Sequence, residues 1–183
     1  MQTRIPEKIK RRVDFYNMVV NLFRSVLHLV PISVFCYGKM SARMFSIFLV
    51  ISLFALMLPK NFFNNIQLGK TSSIYKKLGV KFINRFTQNG DIINRLIRKK
   101  FPEYKIIYHN NISVNKLLQQ TYIFEKFHFA MFSFFTLVAI YAFVLHYVWW
   151  GVIITVSNLA YNVYPNLLQQ YVRIKLLNVR RGK

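Results

Sequence analysis

The residues best suited to chemistry sit in the last third of the chain. Glu125 and His128 are one helical turn apart, and Thr121 precedes Glu125 by one more turn, so the three share a helical face. Further on, Asn158, Asn162, Pro165 and Gln169 recur at steps of three or four, and Tyr171 and Arg173 come after them. A histidine oriented by a carboxylate is a common device for taking a proton from a hydroxyl. The parts fit acyl or glycosyl transfer to a sugar or lipid hydroxyl. In that reading His128 is the general base, Glu125 is its orienting partner, and Arg173, Gln169, Tyr171, Asn162, Asn158 and Thr121 surround the substrate. A second reading stands beside it: Glu125 pairs with Arg173 or Arg24 and simply fastens the helices together.

Other chemistries fail on inventory. The acids are Glu7, Asp14, Asp91, Glu103 and Glu125, and four of the five lie outside the apolar runs. A di-iron carboxylate bundle therefore cannot be assembled around the E-x-x-H pair of Glu125 and His128, and His28, His109 and His146 cannot replace the missing acids at one depth. There is no zinc-protease histidine pair, glycine-rich phosphate loop or G-x-S-x-G elbow. Cys36 is the single cysteine, which rules out an internal disulfide and a cysteine metal site. The sequence calls for no metal and no cofactor.

The elements that must position these residues are helices in a bilayer. Hydrophobic residues make up 54% of the chain and aromatics 17%, beyond the needs of an ordinary soluble core. We expect an all-α, polytopic integral membrane protein, one domain over 1–183. It has four transmembrane helices at about 15–37, 43–58, 128–149 and 151–170 and cytoplasmic amphipathic helices in a basic segment, 60–118. Lys and Arg number five in 1–12, twelve in 60–116 and five in 173–183, but two in 38–43 and none in 146–151. That distribution puts both termini and the middle segment on the cytoplasmic side of the cell (inner) membrane. Because the basic groups track topology and no nucleic-acid-binding fold is recognisable, nucleic acid is not an expected partner.

A turn near Trp149 and Trp150 would place His128 and Gln169 each about 30 Å back along its helix, side by side at one interface. His146, Tyr147 and the two tryptophans then form an interfacial belt. Pro165 supplies no N–H, so it frees the carbonyl of Tyr161 and predicts a kink. In the first span Asn17, Asn21, Arg24 and His28 make a polar stripe; Arg24 either snorkels to the headgroups or holds an anionic group. That helix is expected to begin near Asp14. Within the basic segment, 72–86 is amphipathic but interrupted by Gly79. The stretch 91–101, capped by Asp91 and stopped by Pro102, is a basic amphipathic helix that lies on anionic lipid or forms a solvated cap. Lys105 to Tyr108 suggests a short strand.

Three motifs resemble a known family. They are Tyr75-Lys76-Lys77-Leu78-Gly79-Val80, the T-x-x-x-E-x-x-H of Thr121, Glu125 and His128, and the N-x-Y-P-x-x-x-Q-x-Y-x-R from Asn162 to Arg173. In order and spacing they are similar to the glycosyl-4,4'-diaponeurosporenoate acyltransferases over about 69–176. Phe129 stands where that pattern has tryptophan, and 169–173 reads Q-Q-Y-V-R where it has Q-R-Y-N-R. The resemblance implies an acyltransferase esterifying the sugar of a glycosylated carotenoid. Its partners would be membrane lipids, an acyl donor and a glycosylated lipid or carotenoid acceptor. The rival expectation is a noncatalytic membrane subunit that docks to a larger complex through its basic face.

Overall fold

The computed structural model describes residues 6–85, 87, 90–102 and 111–181. Every regular element among them is helical. The chain begins with α1 (Glu7–Lys39), which runs unbroken through Pro31, then α2 (Ala42–Leu53), whose last turn tightens into a 3₁₀ helix, Phe54–Met57. Four short helices come next: α3 (Lys60–Asn65), α4 (Ser72–Lys77), α5 (Val80–Asn84) and α6 (Asp91–Lys100). The last third is α7 (Asn111–Val144), α8 (Val148–Asn158), a π-helical turn (Leu159–Val163) and α9 (Tyr164–Arg181). The expected strand at 105–108 lies outside the described residues.

Two helices, Glu7–Lys39 and Val114–Val144, are long and apolar enough to cross a membrane, and Ala42–Met57 is a shorter apolar helix. The return path is divided by its π turn into α8, which is too short, and α9, which is long enough but too polar. Large apolar side chains line the outside of α1, among them Leu22, Phe23, Val26 and Val30, each more than half exposed. The polar termini of helices need water, so apolar side chains facing outward along a whole helix suit lipid. The first helix starts at Glu7, behind Pro6, and carries Asp14 in its interior rather than at its start. Proline favours that position, because its fixed φ suits a helix entry.

The main core lies where α7 meets α1 and α8. Phe35 and Cys36 of α1, Phe135, Val138 and Ala142 of α7, Ile154 of α8 and Tyr161 of the π turn are buried together. The hairpin turns at 145–147, before the tryptophans, and His146 carries φ 61 there. Trp149 is 81% exposed. The helix expected over 91–101 forms, with Gly90 at its N-cap. Its apolar face is divided: Ile93 and Ile97 bury against Ile9 and Val13 of α1, while Ile92 and Leu96 remain exposed. The basic segment is thereby tied to the first long helix.

Gly79 divides 72–86 into α4 and α5 because it holds φ +74, left-handed backbone that costs other L-residues about 1–2 kcal/mol. A Cβ at this position would meet nothing within 4 Å, so strain alone is at issue. Gly79→Ala should therefore lower the unfolding free energy by about 1–2 kcal/mol, measurable by denaturant titration in detergent.

Candidate active site

Glu125 is 1% exposed, and both its oxygens are engaged away from His128. Gln170 Nε2 donates to Oε1 at 2.9 Å, and Arg173 forms an ion pair with Oε2. Arg173, also 1% exposed, donates from Nη2 to the Phe63 carbonyl at 3.3 Å and to Gln67 Oε1 at 3.2 Å, and its guanidinium lies 4.5 Å from the Tyr122 ring centroid. Tyr75 closes the network by donating to Gln170 Oε1 at 3.0 Å, while its oxygen accepts from Gly69 N at 3.2 Å. Burial pushes the Tyr75 phenol up, which keeps it a neutral donor. The network joins α7, α9, α4 and the loop after α3.

Of the two sequence readings of Glu125, this geometry matches the pairing with Arg173. Glu125 neither orients His128 nor meets Arg24. Gln169 is half-buried and its neighbour Gln170 takes the inward position. Gln170 lies one turn before Arg173, and the two share the face of α9 that meets Glu125. Thr121 Oγ1 donates at 2.7 Å to the Leu118 carbonyl of its own helix, and Tyr171 is buried against Tyr75, ring centroids 6.3 Å apart. Removing the Tyr75 hydroxyl would leave Gln170 and Gly69 short of a buried partner. We expect Tyr75→Phe to cost about 1–3 kcal/mol, seen as a lower midpoint in the same titration.

A second polar cluster lies deeper, around Tyr161. Pro165 offers no donor to the Tyr161 carbonyl, and the backbone takes the wider turn in which Tyr164 N–H reaches back five residues to Leu159. Such turns occur often at functional sites. Tyr161 is 8% exposed and stands between two imidazoles, with His28 at 5.4 Å and His128 edge-on at 6.0 Å between ring centroids. Its hydroxyl shares a 2.9 Å hydrogen bond with Ser25 Oγ, and the Arg24 guanidinium is 6.0 Å from its ring. Thus α1 delivers Arg24, Ser25 and His28 to the π turn, and α7 delivers His128 to the same ring.

The Asn162 side chain and the Tyr161 backbone face the His128 imidazole. Asn162 is wholly buried, and its amide direction is fixed: Nδ2 donates to Asn158 Oδ1 at 2.8 Å. Asn158 is anchored in turn, donating to the Phe132 carbonyl at 3.1 Å and to Thr136 Oγ1 at 3.0 Å on α7. Two buried atoms in this cluster have no hydrogen-bond partner, His128 Nδ1 and Asn162 Oδ1. Buried polar atoms are nearly always satisfied: with the imidazole proton on Nδ1 these two face each other as donor and acceptor, and with it on Nε2 both are acceptors open to a ligand.

Beside the cluster, a cavity of about 580 Å³ opens between α1, α5, α6 and the π turn. Arg24 and His28 line it from α1, Ala160 from the π turn, Tyr164 from α9, and Arg85 and Thr87 from the basic segment; the other described residues of its wall are aliphatic or aromatic. A model of the glycosyl-4,4'-diaponeurosporenoate acyltransferase family matches residues 59–181. The chain belongs to that family. No curated protein and no solved structure matches it. Membership in these carotenoid-pathway acyltransferases covers Glu125, His128, Tyr161, Asn162 and Arg173, so both polar clusters have their α7 and α9 sides within the family region. Arg24, Ser25 and His28 come from α1, outside it.

Sequence reasoning named His128, Asn158, Asn162 and Arg24 for this second cluster but not the side chains of Tyr161, Ser25 and His28. His28 was visible in the α1 stripe, and Pro165 pointed to Tyr161 by its four-residue offset.

Proposed function

We propose that this family member is a four-crossing membrane acyltransferase that esterifies a hydroxyl of a glycosylated lipid or carotenoid at the cytoplasmic face of the cell membrane. The observation that carries this reading is the pair of unpartnered buried atoms, His128 Nδ1 and Asn162 Oδ1. With its proton on Nε2, the imidazole offers Nδ1 as an acceptor, and a carboxamide oxygen is always one. Two adjacent acceptors call for two adjacent donors. Neighbouring hydroxyls of a sugar supply that arrangement, and a single aliphatic alcohol does not.

The chemistry proceeds from that contact. The hydroxyl hydrogen-bonded to His128 passes its proton to Nδ1 as its oxygen attacks the acyl carbonyl of the donor. The tetrahedral intermediate then collapses, the bond from the carbonyl carbon to the leaving group breaks, and the departing group recovers the proton from the imidazolium. Asn162 fixes the sugar through its second hydroxyl, and the chain Asn162, Asn158, Thr136 keeps that amide from rotating. Tyr161 separates this acceptor site from the apolar cavity, which suits the acyl chain. The network of Glu125 and Arg173 acts at one remove by holding α9 against α7, which sets the phase of the π turn.

The test is reconstitution. Protein in vesicles supplied with a glycosylated carotenoid and a fatty acyl donor should form the sugar ester, seen as one acyl mass increment by chromatography and mass spectrometry. An acceptor recovered unchanged with every donor class, from protein that stays folded, would remove the enzymatic reading.

A further inference from the structure

We propose that the cavity beside Tyr161 binds an anionic amphiphile, a long acyl chain with a phosphate-bearing head, and that Arg24 and Arg85 hold its head; the name of acyl donor for this ligand rests on the acyltransferase reading above. The argument starts from charge. Arg24 is half-buried among apolar side chains of α1, and the ion pair between Glu125 and Arg173 is the only one among the described residues. A cation that loses hydration without gaining a carboxylate carries an unmet cost. Arg85, exposed at the end of α5 with its guanidinium 5.9 Å from the Phe82 ring, lines the same cavity, 61 positions away in the sequence. Two like charges at one cavity favour an anion there.

Guanidinium groups suit phosphate oxygens in particular, because their fork of N–H donors matches the oxyanion geometry. Thr87 is already engaged, donating to the Asn84 carbonyl at 3.0 Å, and leaves the head to the arginines. The remaining wall is apolar, with Phe23 on α1 and Ile93 on α6 among its members, and a volume of about 580 Å³ lies within the usual range of small-molecule sites. A ligand with its head at Arg85 and Arg24 and its chain along this wall brings its acyl carbonyl towards His28 and Tyr161. The acceptor hydroxyl approaches from His128, which meets the same ring.

The phosphate-bearing head belongs either to a nucleotide-type thioester or to a simple phosphate ester, and two probes separate them. Full-length protein in phosphatidylcholine nanodiscs is titrated with radiolabelled myristoyl-coenzyme A, tetradecyl phosphate and tetradecyl maltoside, with no acceptor present. At least one phosphate probe should bind ten times or more tighter than the maltoside. Preference for the coenzyme thioester assigns the first source, and equal binding of both phosphates assigns the second. Arg24→Gln and Arg85→Gln should each weaken the preferred phosphate probe about tenfold, equivalent to about 1.4 kcal/mol, and leave the maltoside unchanged. Arg24→Lys should recover part of the loss.

Equal affinity for all three probes would overturn the proposal, as would unchanged phosphate binding in both glutamine variants. Should Arg24→Gln fail to fold, Arg85→Gln, in the basic segment, decides the matter alone. Since no transfer is measured, binding without turnover would leave this site standing while the acyltransferase reading falls. Turnover that is indifferent to both substitutions would do the reverse.

Discussion

Arg173→Met should destabilise the protein by about 3–5 kcal/mol, the largest loss we expect from a single substitution outside the hydrophobic core. Arginine and glutamate are each 1% exposed, so removing the guanidinium strands a carboxylate where water cannot reach it. The Phe63 carbonyl and Gln67 would lose their donor in the same step. The double variant Glu125→Leu with Arg173→Met removes both charges and should recover part of that loss, because a buried pair can often be replaced by apolar groups of similar size. Denaturant titration of both single variants and the double variant in one detergent measures the coupling, expected at about 1–3 kcal/mol. Additive losses would mean that the two residues do not act as a pair.

His128→Ala should lower kcat about 10²- to 10⁴-fold with little change in the unfolding midpoint, the range for removal of a general base. The imidazole holds no ion pair, so what the fold loses with it is its ring contacts with Phe127 and Tyr161 and its contact with Asn162. Asn162→Leu should act differently. It removes the second acceptor and the bond to Asn158, so it should raise KM for the sugar as well as lower kcat. Glu125→Gln provides the contrast that separates the two clusters. If the carboxylate oriented His128, its loss would change the pH dependence of turnover; a partner of Arg173 and Gln170 should instead show its loss in stability. Parallel measurement of kcat against pH and of unfolding midpoint for both variants distinguishes these outcomes.

Part of the helical frame was legible because periodicity reports on it directly. The 3.6-residue recurrence of Glu125 with His128, and of Asn158 with Asn162, placed each pair on one face, and those faces meet. What periodicity cannot report is which partner a shared face meets. Glu125 and His128 lie one turn apart, yet one turns to Arg173 and the other to Asn162, a choice made by where α9 sits. The exchange of Gln169 for Gln170 was hidden for a more local reason. The proline was visible, but steps of three and four residues both keep one face, and the choice of Gln170 over Gln169 ahead of Arg173 is made by which of them meets Glu125.

Long-range convergence was the least legible part. His28, Ser25 and Arg24 are more than 100 positions from Tyr161, and only the packing of α1 against α7 and α8 brings them to it. The amphipathic pattern of α6 announced an apolar face but not that Ile9 and Val13 would cover part of it. Likewise, apolar length identifies two helices that can cross a membrane, whereas the shorter α2 and the interrupted return helix depend on their neighbours to complete the crossings we propose.

The most direct measurement is mass spectrometry of lipids and pigments from cells carrying the wild-type protein, the His128→Ala variant or neither, at matched membrane abundance. An acylated glycolipid or glycosylated carotenoid should be present with the wild type and absent from the other two, and its mass would name the acceptor. Three coincident profiles, in cells where the protein is abundant, would contradict the assignment of His128 to acyl transfer and the enzymatic role with it.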